Sequence, residues 1–126
     1  MIIYEFVDSP QTDQEQLRLF IKYVFDKLHI DNQKMPDIIF SSKKEGPNQH
    51  RTGWYNPNTD QMWIYTGHRN LIDIMRTVAH ELAHHKQRED GHISSNTDLA
   101  EIETQADTAA GMIMKLYVRM HPEIIK

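Results

Sequence analysis

A chain of 126 residues fits one domain, 1–126, with a single modest core. Its 39% hydrophobic and 25% charged residues are ordinary for a globular protein, and a net charge of −4 disfavours a broad nucleic-acid-binding face. The absence of cysteine excludes disulfides, thiolate metal sites and cysteine nucleophiles, leaving Asp, Glu and 8 His as strong metal ligands.

The opening residues 1–7 are rich in β-branched and aromatic types and end at Asp8-Ser9-Pro10, so they predict a strand and a turn. Thr12 and Glu15 have capping-box spacing, and Leu17, Phe20, Ile21, Val24 and Leu28 follow at helical intervals, predicting an amphipathic helix over 13–28. Asp31, Asn32 and Pro36 form a turn before the strand Ile38-Ile39-Phe40. Residues 43–53 read as a loop. Around the turn Asn56-Pro57-Asn58-Thr59-Asp60, segments 50–55 and 61–66 predict a hairpin, with Tyr55 and Tyr65 packed in it.

A helix is expected from Asn70 to Glu89, closed by Gly91, and a last one over 99–120, opened by Asp98 and stopped by Pro122. Strands followed by helices favour an α+β fold: a small, mainly antiparallel sheet with an N-terminal helix and two C-terminal helices carrying the site. No stretch approaches the roughly 20 apolar residues of a membrane span, and no secretory leader is visible. The expectation is a cytoplasmic protein with no membrane and no nucleic-acid partner.

The chemistry is concentrated in His80-Glu81-Leu82-Ala83-His84. On a helix, positions i and i+4 share a face one turn apart, so both imidazoles can reach one ion, and Zn2+ is the natural one. Glu81 lies about 100° around the helix, off the ligand face yet able to touch a water on the metal as general base. Histidine is abundant in this chain, so context must support the motif.

Three features do. Ile74, Val78 and Leu82 form an apolar row with Met75 beside it, which leaves another face for ligands. Glu103, 19 positions after His84, can be the third ligand, and Asp107, one turn further, can accept a bond from a ligand imidazole. Ala79, Ala83, Ala106, Ala109 and Ala110 let the two helices approach closely. Glu101 is the alternative ligand, about 200° from Glu103, so only one of the two can face the metal. His85 is expected at the surface. His50, His68, His92 and Tyr117 are open candidates for an auxiliary hydrogen bond.

At His80-Glu81-x-x-His84 and Glu103-x-x-x-Asp107 the chain resembles the gluzincins, the thermolysin-like metallopeptidases. The text Arg76-Thr-Val-Ala-His80-Glu-Leu-Ala-His84 looks closest to small ImmA/IrrE-type members, with Gln105-Ala106 where that group commonly has Glu-Ala. The resemblance covers about residues 53–115 and implies a strand before the motif helix, a zinc ion and a peptide or protein substrate. Zinc-dependent peptide hydrolysis is therefore the expected activity. A non-catalytic zinc-stabilised binding module and a metal-free helical adaptor are the alternatives.

Overall fold

A computed structural model describes residues 4–7, 11–31, 33, 35–42, 52–56, 58–91 and 98–125. The order is β1 (Tyr4–Val7), α1 (Gln11–Leu28), β2 (Asp37–Ser41), β3 (Gly53–Asn56), β4 (Gln61–Tyr65), α2 (Leu71–Glu89) and α3 (Leu99–Met120), with a short 3-10 turn at Pro122–Ile125. The fold is α+β, with the N-terminal helix and the two C-terminal helices where the periodicity put them. Helix α1 begins at Gln11, two residues before the expected start at Asp13.

The sheet corrects one expectation. Its order is β1-β2-β4-β3, with β1–β2 and β2–β4 parallel and only β3–β4 antiparallel, so it is mixed and not mainly antiparallel. The cause lies in the connections. Helix α1 returns the chain to the end where β1 began, so β2 pairs with it in parallel. The β3–β4 hairpin then docks through β4, which leaves β3 outermost among the described strands.

Burial alternates along β2 and β4, as a sheet covered on one face requires. Ile38, Phe40, Met62 and Ile64 point into a buried cluster with Leu17, Phe20, Ile21 and Val24 of α1 and Met75, Val78 and Leu82 of α2. Each such side chain contributes about 1.5–3 kcal/mol by leaving water. This core fixes α2 across the sheet. Asn70 starts the helix by accepting a bond from the Asp73 N–H (2.9 Å), and Gly91 follows its end at φ +75°, a conformation that costs glycine little. Asp98 caps α3 through the Ala100 N–H at 2.9 Å.

Candidate metal centre

Helix α2 presents three faces. Ile74, Met75, Val78 and Leu82 belong to the core. Thr77, Glu81 and His85, spaced by four, run over β3. Arg76, His80 and His84, also spaced by four, face α3. Ala79, Ala83, Ala106 and Ala110 are all buried, and these short side chains let α2 and α3 come close enough for a carboxylate to bridge them.

There the predicted ligands converge. His80 Nε2 and His84 Nε2 are 3.1 Å apart, and the Glu103 carboxylate reaches them with Oε2 at 3.1 Å and Oε1 at 3.0 Å respectively. Three donors around zinc at about 2.0–2.1 Å in a tetrahedral arrangement would lie roughly 3.3 Å from one another, close to this spacing. The donor set, two imidazoles and one carboxylate, fits a divalent transition ion. Glu101 turns away and accepts a bond from Gln105 Nε2 at 3.4 Å, so Glu103 is the carboxylate that faces the histidines.

The far side of each imidazole is held too. His80 Nδ1 lies 2.8 Å from Asp107 Oδ1, as the spacing predicted. His84 Nδ1 donates to Gln87 Oε1 at 2.9 Å; the amide orientation follows because Gln87 Nε2 donates to the Ile102 carbonyl at 3.1 Å. With both Nδ1 atoms engaged as donors, both Nε2 lone pairs are free to bind a cation. Sequence reasoning missed Gln87. Its signal was position: it lies three residues after His84, on the same side of the helix.

Glu81 is not in the ligand group. It is 92% removed from solvent, yet its side chain lines the same cavity as His80, Glu103 and Asp107. That cavity, about 800 Å³, opens between α2, α3 and the first residues of β3, Thr52 and Gly53. Strand β3 approaches closely because residue 53 is glycine. A Cβ there would stand 2.5 Å from Thr77 Cγ2 and 3.1 Å from Glu81 Cγ. Any larger residue would push the strand or the Glu81 side chain aside.

His85 corrects another expectation. It is fully buried instead of being at the surface, with Nδ1 3.2 Å from Asp60 Oδ1 and 3.1 Å from the Tyr55 hydroxyl. Tyr55 donates to Asp60 Oδ1 at 2.9 Å, so the three side chains tie the hairpin to α2. Burial, reinforced by the bond and the charge of Asp60, pushes the Tyr55 phenol far above the ordinary tyrosine range. Rotation by about 100° from His84 turns His85 toward β3, the side that Glu81 already occupies one turn earlier.

The other candidates fall elsewhere. His68 is exposed in a turn at φ 56°. Tyr117 is packed edge-on against Phe20 and Tyr23, at centroid distances of 4.9 and 5.0 Å, and burial raises its phenol. His50 and His92 lie outside the described residues. No helix is long and apolar enough to cross a membrane among the described residues. No protein-family model, curated protein or solved structure matches this chain.

Proposed function

We propose that the protein is a zinc-dependent metallopeptidase that hydrolyses peptide bonds, with His80, His84 and Glu103 as metal ligands and Glu81 as general base. The observation that carries this reading is Glu81: a buried carboxylate outside the His80, His84 and Glu103 group lines the same open cavity as His80 and Glu103. A site that served only to clamp two helices needs no such group and would close its remaining position with protein.

Zinc in this position supplies a Lewis acid that acidifies water and polarises a carbonyl. Glu81 takes the proton of the attacking water and delivers it to the leaving amine. Asp107 and Gln87 keep the two imidazoles turned toward the cation. The outer edge of β3 has no neighbouring strand among the described residues, and it runs past Glu81. An extended peptide can pair with that edge, which brings its backbone across the cavity mouth.

The likeness to small gluzincins agrees with this reading, since Glu103 and Asp107 fall where that pattern needs a ligand and its neighbour's partner. A peptide or protein substrate and a reducing, cytoplasmic setting complete the proposal, the latter in keeping with a chain free of cysteine.

The test is Glu81→Gln, which keeps shape but cannot accept a proton at neutral pH. Zinc content and melting temperature should match the parent, while cleavage of an unstructured peptide library should fall by about 10²–10⁴. Parental activity in the variant would refute the assignment. A zinc-loaded parent that cleaves no peptide would favour the non-catalytic clamp.

A further inference from the structure

The row that carries the ligands extends one turn further back, to Arg76. It is exposed, it lines the metal cavity, and it has no ion-pair or hydrogen-bond partner among the described residues. The other charged side chains of the described lining, Glu81 of α2 and Glu103 and Asp107 of α3, are acidic. An unpaired guanidinium is therefore the sole fixed positive charge of the described lining, four residues from a ligand.

The facing wall is cut back. Ala110 and Gly111 of α3 line the cavity opposite, and a Cβ added at Gly111 would meet nothing within 4 Å. Space and charge thus coincide at one end of the cavity, away from the ligands. Four residues of helix rise about 6 Å, while an extended chain advances about 3.3 Å per residue. A group that meets Arg76 belongs to a residue within one or two positions of the bond above the metal site. The flat, forked guanidinium matches a carboxylate through two parallel hydrogen bonds.

We propose that Arg76, facing the open wall at Ala110 and Gly111, forms a specificity subsite for a substrate carboxylate next to the scissile bond. The carboxylate is either an Asp or Glu side chain or the chain end itself. This rests on the peptidase reading for the kind of ligand, but its test does not require turnover.

Four hydroxamate dipeptides provide the probes: a glutamate or a glutamine side chain, each with a free or an amidated C-terminus. Calorimetric titration of the zinc-loaded protein should show carboxylate-bearing probes binding about 10- to 100-fold more tightly than the fully amidated glutamine probe, the range of a charge-assisted bond. Whether the gain follows the side chain or the chain end identifies the source. In Arg76→Gln the four affinities should converge, with zinc content and melting temperature unchanged, and Arg76→Glu should favour a lysine-bearing probe. Equal affinities in the parent, a preference that survives Arg76→Gln, or no binding by any probe would each overturn the subsite. Peptide cleavage with no acidic preference would remove the subsite and leave the peptidase standing. Selective binding without any cleavage would do the reverse.

Discussion

His84 and His85 are neighbours on α2, yet their surroundings differ in every respect. His84 directs Nε2 toward Glu103 and His80, whereas His85 is sealed between Tyr55 and Asp60. The first belongs to a row that faces another helix, the second to a row that faces a strand. The sheet-side row, Thr77, Glu81 and His85, also holds the proposed general base, Glu81. A buried histidine one turn beyond Glu81 therefore anchors the strand that borders the cavity. One row of α2 meets Glu103 of α3, and the other ties the hairpin to the helix through His85.

The sharpest way to break this comparison is to delete each histidine. His84→Ala should reduce zinc affinity by more than the 10- to 100-fold typical of losing an outer partner, as read by competition with a chromophoric chelator. His85→Ala should retain about one zinc per chain but lose about 2–4 kcal/mol of stability, because it opens a cavity and removes the partner that Tyr55 and Asp60 share. Urea unfolding of the metal-free proteins reads that loss. Equal zinc loss in both variants would mean that the two rows are not separable.

Smaller effects should come from the groups behind the ligands. Gln87→Ala and Asp107→Asn should each weaken zinc binding by about 10- to 100-fold. Gln87→Ala should also loosen α3, since its amide donates to the Ile102 carbonyl. Hydrogen exchange at the start of α3 reads this second effect, and Asp107→Asn should leave it unchanged.

The smallest expected change concerns Tyr55. Its phenol stays protonated in the folded protein well above the ordinary value of 10.0, because burial and the bond to Asp60 disfavour the phenolate. The unfolded chain releases that proton near 10, so the stabilisation is complete below that pH and is lost as pH rises through the alkaline range. Tyr55→Phe should cost about 1 kcal/mol at neutral pH and should flatten the fall of the urea midpoint between pH 9 and 11, roughly one unit on either side of that value. Tyr117, also raised by burial, will leave part of the alkaline loss in place.

Much of the metal group was legible because helices encode it locally. His80 and His84 needed only a spacing of four, and Glu103 and Asp107 needed only the next helix at a sensible distance. What stayed hidden depends on which surfaces meet. Nothing local to His85 reveals that β3 covers it, and Gln87 reads as an ordinary polar residue until the Ile102 carbonyl appears opposite. The strand order was hidden for the same reason. Alternation in Gln61–Tyr65 marks a strand with one buried face, but not that it lies between β2 and β3. The close approach at Gly53 likewise depends on Thr77 and Glu81, which lie far along the chain.

The candidate ligands also come from two separate helices: His84 and Glu103 stand 19 positions apart. An ion held between them would act as a crosslink, closing a loop of that length in any partly unfolded chain that kept it. A covalent bridge over a 15-residue loop removes chain entropy worth about 3 kcal/mol, and a tightly held ion approaches the same limit. Detachment of α3 would then require metal release first. For such a protein, zinc supply would set not only how fast it works but how long a molecule survives cellular proteases.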